Sequence, residues 1–462
     1  MSILGGFLQT LGTRLFGLIA AMLGSVITAR TLGPEGKGVV VVLGTLASTI
    51  VQFGSLGLTA ANVHFTARGQ KQVSKLAGIS AWVSMVTGGG LGIAILLGVA
   101  WQPDLLPGVP WVLLLVTIFS LPFLLGSQLF QNLLLGMEAV GAYNWIEMLR
   151  TGLALSAILA LFAFRLLNPA SVVLLSAILA IGVFALTVRT VWARAALSWR
   201  FDAAMFRSAL SYGLIFFVNN MLAFLLLKSD FFLVNHFLGL SGVGIYSVSV
   251  QIADLLLLAP ATLGMLLFPR LSAIQDPIER TQTCLQFARL TAVGMAAACF
   301  LTGIFSPVLI RFFFGAAFQP AWTPLSVLLP GIWLLALENV LIMHLAAGRL
   351  PIVVPGLWLL GLGVNVGLNL WLLPLLGLTA AALASTLAYA LVAIGVLVLF
   401  VRETGASLGE ALVPRHADLV KVVRHLRGHW DEGAPKALAL GGAGMQECSG
   451  PEASQAKPLG PV

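Results

Sequence analysis

Charge is scarce in this sequence. Only 9% of its 462 residues are Asp, Glu, Lys or Arg, against about a quarter in a soluble domain. That shortage excludes an ordinary water-soluble globular fold. Cysteine is nearly absent too. Cys284, Cys299 and Cys448 have neither the even count nor the spacing of a disulfide framework or a zinc site. Nor does the pattern alternate with the two-residue period of a membrane β-barrel. No cofactor motif and no metal-ligating set stands out: His425 and His429 are four apart, but Gly428 intervenes and no third ligand accompanies them.

What is present is apolar. Hydrophobic residues make up 59% of the chain, and the charges are clustered so that apolar runs of about 20 residues lie between them, the length needed to cross a bilayer as a helix. Inside lipid the backbone must satisfy its own hydrogen bonds, so these runs read as helices. The fold class is an all-α polytopic membrane protein with twelve expected spans. The first six are Phe7–Thr28, Gly38–Ala61, Leu76–Ala100, Trp111–Leu135, Trp145–Leu167 and Val172–Val191. The second six are Tyr212–Leu233, Gly244–Leu267, Phe287–Ile310, Leu325–Ala346, Val353–Leu376 and Thr379–Val401. Gly88, Gly89 and Gly90 in span three point to close helix contact or a local kink. No cleavable signal peptide is expected, because the first apolar run is one of many.

Basic residues set the expected orientation. Arg68, Lys71 and Lys75 follow span two; Arg189, Arg194, Arg200 and Arg207 follow span six; Arg270, Arg280 and Arg289 follow span eight. The opposite side carries only Arg30, Lys37, Arg165 and Arg311. The basic side is assigned to the cytoplasm, with both termini. The net charge of +8 then reflects topology and contact with membrane lipids rather than nucleic-acid binding.

LGPEGKG (Leu32 to Gly38) has the glycines and lysine of a phosphate loop. A P-loop needs G-x-x-x-x-G-K-[ST], whereas Lys37 is followed by Gly38 and no strand precedes it. The stretch also has a twin, LGLSGVG (Leu238 to Gly244), at an offset of 206 residues. Each copy lies between an odd and an even span, and six spans separate them. That spacing implies two parallel six-helix repeats, an arrangement common in secondary transporters. Gly33 is suited to ending span one and Pro34 to starting the next helix. The expected divisions are an N-terminal six-helix lobe over 1–199, a second over 200–401, and a mostly disordered tail over 402–462. Within that tail HADLVKVVRHLR (His416 to Arg427) reads as a short basic surface helix.

ARTLGPEGKGVVVVLGTLASTIVQFGSLGLTAANVHF (Ala29 to Phe65) resembles the first-hairpin signature of the polysaccharide flippases. KSDFFLVNHFLGLSGVGIYSVSVQIADLLLLAPATLGMLLFPRLS (Lys228 to Ser272) is similar to their span-seven-to-eight region, and RFFFGAAFQPA (Arg311 to Ala321) to their turn before span ten. These proteins belong to the multidrug/oligosaccharidyl-lipid/polysaccharide exporter superfamily. The resemblance covers residues 1 to about 401 and none of the tail. It implies two six-helix lobes around a central cavity that opens alternately to each side. It also implies a non-enzymatic flippase that moves a polyprenyl-diphosphate-linked oligosaccharide for O-antigen, capsule or exopolysaccharide synthesis, alongside polysaccharide assembly proteins.

Such a cargo drags a polar head through about 30 Å of hydrocarbon, so ionisable residues within spans are the candidates. Arg14 shares a helical face with Thr10, Gly17, Ala21, Ser25 and Thr28; it reads either as a diphosphate contact or as an arginine snorkelling to the interface. Arg150 reads as the ion-pair partner of Glu147, three residues away, and as a secondary head-group contact. Lys37, unmatched at Val243 in the twin, is a candidate phosphate contact at the outer mouth. Asn219 shares the face of Asp230, which is expected to face the lumen, with Lys228 turned toward a neighbour or the outer headgroups. Asp230, Asp254 and the drier Glu338 are candidates for proton or sodium coupling, in competition with helix-to-helix hydrogen bonding. Asn365 and Asn369, four apart in span eleven, suit sugar hydroxyls, a cation or interhelical bonds.

Two other functions compete. A cationic-drug exporter of the same fold calls for an acidic or aromatic cavity, whereas Arg14 and Arg150 favour an anionic cargo. A membrane glycosyltransferase or ligase calls for a sizeable outer loop with catalytic acids, and Asp104 is alone between spans three and four. A lipid II flippase is a near alternative, usually with two more helices and a denser set of cavity arginines.

Overall fold

The computed structural model describes residues 3–348, apart from 197 and 199, together with residues 353–407 and 409. Among these residues thirteen α-helices run in chain order: α1 (Ile3–Gly54), α2 (Leu58–Thr66), α3 (Gln70–Val83), α4 (Gly89–Trp101), α5 (Trp111–Gly136), α6 (Val140–Ala163), α7 (Pro169–Trp192), α8 (Ala203–Lys228), α9 (Asp230–Ala273), α10 (Pro277–Phe313), α11 (Trp322–Gly348), α12 (Val353–Leu376) and α13 (Leu378–Thr404). The expected surface helix over His416–Arg427, and most of the tail, lie outside the described residues.

Among the described residues ten helices are long and apolar enough to cross a bilayer, where the sequence pattern leads to twelve. The difference lies in α1, which carries spans one and two without a loop, and in the stretch Phe216–Ala273, where α8 and α9 carry spans seven and eight with only Ser229 between them. α1 and α9 are each broken by a single glycine: Gly33 and Gly239 both have φ 68° and ψ −175°. That backbone region is open essentially to glycine alone. Pro34 further disfavours helical geometry at Gly33. The offset of 206 seen in sequence therefore recurs as the same dihedral pair in space.

The two kinks pack on one another. A methyl group on Gly38 would run into the carbonyl of Leu240, and one on Gly244 into the carbonyl of Pro34. The first pair becomes the second when 206 is added and the partners exchanged, as a two-fold relation between the copies requires. Around this crossing a single core joins both halves, with Val39, Val42 and Leu46 beside Val243, Tyr246 and Phe318. Just beyond the end of α1, Gly57 meets Gly213 of α8 backbone to backbone. There His64 stacks on Tyr212 at 4.1 Å.

Span three is one helix with a wider turn inside it. A π-helical segment over Ser84–Gly88 links α3 to α4, and a Cβ on Gly88 would lie 3.1 Å from Pro122 of α5. The glycine run thus marks both a distorted turn and a close approach. Long apolar side chains face outward, Trp371, Phe300 and Val308 each 68% exposed. Such surface suits hydrocarbon rather than water. Away from the spans, Asp202 caps α8 by accepting from the Met205 amide and pairs with Lys75 at 2.7 Å. Those contacts, the Lys75 hydrogen bond foremost, hold its carboxyl below the usual range. Arg289, expected in a connection, lies buried within α10, which begins ten residues earlier than the apolar run.

Candidate functional site

The site is built on the face of α1 that precedes Gly33. Arg14, Gly17, Ala21, Ser25 and Thr28, one stripe at helical spacing, all line a cavity of about 710 Å³. Side chains this small keep a groove open beside the helix, and α6 supplies the opposite wall through Tyr143, Glu147 and Arg150. Leu258 of α9 completes it from the second half of the chain. Arg14 is exposed at one end, while Lys37 is 4% exposed at the other, next to the crossing of the kinks.

The charges in this cavity do not balance. Arg150 donates to Glu147 at 2.7 Å in an exposed pair, the kind that contributes little stability but accounts for the only acid in the lining among the described residues. Arg14 reaches no carboxylate within salt-bridge distance among the described residues; its guanidinium lies 3.0 Å from the Met265 sulfur. Lys37 donates to Ser25 at 2.6 Å, and Ser25 donates to Gln251 Oε1 at 2.5 Å. The cavity lining thus sets three basic side chains, Arg14, Lys37 and Arg150, against one carboxylate.

The remaining candidates sit elsewhere, and several expectations are corrected. Asp230 does not face the lumen; it is 2% exposed. It accepts from Tyr246 at 3.0 Å, from Asn369 at 3.0 Å and from Ser385. Asn365 and Asn369 are fully buried beside it, with Asn365 donating to Ser385 at 3.2 Å. Their amides are committed within α9, α12 and α13 and do not line the cavity. Lys228 takes the first of its two expected settings, meeting a neighbour: it pairs with Asp254 of α9 at 3.1 Å in a partly exposed contact. Asn219 is half-buried on α8, away from the cavity wall, and makes no bond to Asp230. Glu338 is 4% exposed in a stretch where Leu335, Leu337 and Val340 are buried as well.

Sequence reasoning missed Tyr246, Ser385 and Phe318 as partners. Tyr246 stands in the G-x-Y that follows the second kink, so its motif was visible while its contact with Asp230 was not.

The helices and their kinked pairs define a polytopic membrane protein with a transporter fold. Solved structures agree. The chain is similar to a lipid II flippase MurJ in an inward closed conformation (TM-score 0.64, 14% identity, 93% of this chain and 97% of that one). It is also similar to an inward-facing multidrug resistance MATE family transporter of the MOP superfamily (TM-score 0.65, 15% identity, 84% and 94%). By sequence the chain belongs to the polysaccharide biosynthesis protein family, whose model matches residues 3–275. One relative is the amylovoran biosynthesis protein AmsL of Erwinia amylovora, 26% identical over 261 residues. That match takes in 54% of this chain and 64% of the relative.

Proposed function

We propose that this protein is a flippase for a polyprenyl-diphosphate-linked oligosaccharide, working by alternating access in a bacterial inner membrane with both termini cytoplasmic. The observation that carries this reading is the excess of cations in the cavity, with Arg14 at its exposed end and Lys37 at its buried end. The diphosphate head enters between the halves, residues 1–199 and 200–401 acting as two lobes, while the polyprenyl tail stays in lipid. Membership of the polysaccharide biosynthesis family supports a role in making cell-surface polysaccharide, in company with the assembly proteins that use the product. A drug cation fits the same cavity poorly, since its one carboxylate is already paired with Arg150. Lipid II remains the neighbouring anionic alternative, on the likeness to MurJ in fold.

Coupling to a proton or sodium gradient is assigned to Asp230. It lies among Tyr246, Asn369 and Ser385, and the nearby Asn369 Oδ1 is buried with no hydrogen-bond donor. A spare acceptor beside a buried carboxylate suits a cation or proton better than it suits a finished hydrogen-bond network. Asp254 and Glu338 are secondary candidates.

The test is transport by the reconstituted protein. Vesicles should show translocation of a fluorescent polyprenyl-diphosphate oligosaccharide, and Arg14→Ala should slow it about tenfold or more, the loss of one charge-assisted contact. Ethidium efflux without oligosaccharide translocation would overturn the reading.

A further inference from the structure

Lys37 is a buried basic group with little compensation among the described residues. Its side chain is 4% exposed, and among the described residues no carboxylate lies within salt-bridge distance of it. It has one neutral hydrogen-bond partner, Ser25 Oγ at 2.6 Å. Its ammonium also lies 5.1 Å from the centroid of the Phe314 ring and 5.9 Å from that of Phe318. Both rings belong to the second half of the chain, as does Gln251, which accepts from Ser25 at 2.5 Å.

A second cation grips the same segment. Arg30 Nε donates to the Phe313 carbonyl at 2.7 Å, and its Nη2 to that of Phe312. These are the unsatisfied carbonyls at the C-terminus of α10, the negative end of that helix. Two cations from the first half thus hold the Phe312–Phe318 turn of the second half, beside the crossing of the two kinks. The twin position of Lys37 is Val243, so charge comes from one half and aromatic rings from the other.

We infer that Lys37 latches the kinked end of the transporter shut and that an anion reaching the buried end of the cavity releases it. The release step rests on the anionic cargo proposed above; the latch does not. The physical asymmetry is simple. Ring faces and a single hydroxyl replace only part of the hydration an ammonium loses on burial. A phosphate oxygen makes a stronger, charge-assisted bond to the same group. Lys37 and Ser25 both line the cavity, so a phosphate can reach the ammonium without first parting the halves. Once Lys37 turns to it, the ring contacts and the Lys37–Ser25 bond are lost together, and the closed end loses that charged link between the halves.

Glu35 and Ser241 give a direct readout. They are twins at the offset of 206, both exposed, and flank the two glycine contacts. Spin labels at these positions would be placed in the full chain in nanodiscs, with the native cysteines replaced. Geranylgeranyl diphosphate serves as the probe and geranylgeraniol as its uncharged control. The wild type should show a short distance at rest, with a longer-distance population that grows with the diphosphate and not with the alcohol. Lys37→Met, which keeps an unbranched side chain one atom shorter and removes the charge, should raise the open-to-closed ratio at rest by about tenfold and abolish the response. Lys37→Arg should behave as wild type. Phe318→Leu, a milder change, should open the end partway and guards against a misfolded Lys37 variant. A Lys37→Met distribution equal to wild type at rest would overturn the latch. If Lys37→Met opens while the wild type ignores the diphosphate, the anionic cargo and the release step fail together and the latch stands.

Discussion

Gly38 lies directly beneath the carbonyl of Leu240, closer than any side chain at that position would allow. The same contact recurs between Gly244 and Pro34, so at the kinked end the backbones of the two halves meet directly. Neither carbonyl belongs to a flexible side chain that can move aside.

Alanine at either crossing glycine should therefore force the halves apart. Gly38→Ala and Gly244→Ala are each expected to destabilise the protein by about 1–3 kcal/mol, the range for overpacking a tight contact. Gly44→Ala, on the same helix with nothing within 4 Å of the added methyl, should be neutral or slightly stabilising. Thermal unfolding in detergent checks the contrast. Equal melting temperatures for Gly38→Ala and Gly44→Ala would contradict the backbone crossing.

Asp230 and Ser385 should act as one unit in coupling. Asp230→Asn is expected to make transport independent of the driving gradient, and Ser385→Ala to weaken that dependence in the same direction, because the serine donates to the carboxylate. Transport rates in vesicles with and without imposed proton and sodium gradients measure this. A gradient dependence unchanged in Asp230→Asn removes the residue from the mechanism.

The Lys75–Asp202 pair should stabilise the start of α8 in a pH-dependent way. The folded pKa of Asp202 is depressed, by the Lys75 hydrogen bond and then the Met205 amide. Its stabilisation is thus present above the unfolded carboxylate value near 4 and is lost as pH falls through the folded value. Asp202→Asn keeps the helix cap and loses the ion pair, so its melting temperature should fall less than that of Asp202→Ala. Both differences from wild type should shrink in strong acid, as unfolding curves taken across that range would register.

Much of the first half's site was legible. Arg14, Gly17, Ala21, Ser25 and Thr28 fall on one face by helical spacing alone, and that face lines the cavity. The second half was less so. Spacing placed Asp230 and Lys228 on different sides of a helix, and in the structure they do part, Asp230 to α12 and α13 and Lys228 to Asp254. Which side was the lumen could not be read, because the partners Asn369 and Ser385 lie 139 and 155 residues further along. Periodicity reports which residues share a face and is silent about what that face meets.

The sequence by itself determined the membrane-spanning class, the helical segments, the duplication and the family. Each of these depends on local composition or on comparison along the chain. Glycine at positions 33 and 239 likewise made the two kinks possible, since that backbone geometry admits little else. The tertiary structure alone decided that the kinks cross each other, that Lys37 of one half rests on Phe314 and Phe318 of the other, and that Asp230 is enclosed. Those are pairings between distant segments, and the free energy that selects them comes from packing helices together, which no local pattern encodes.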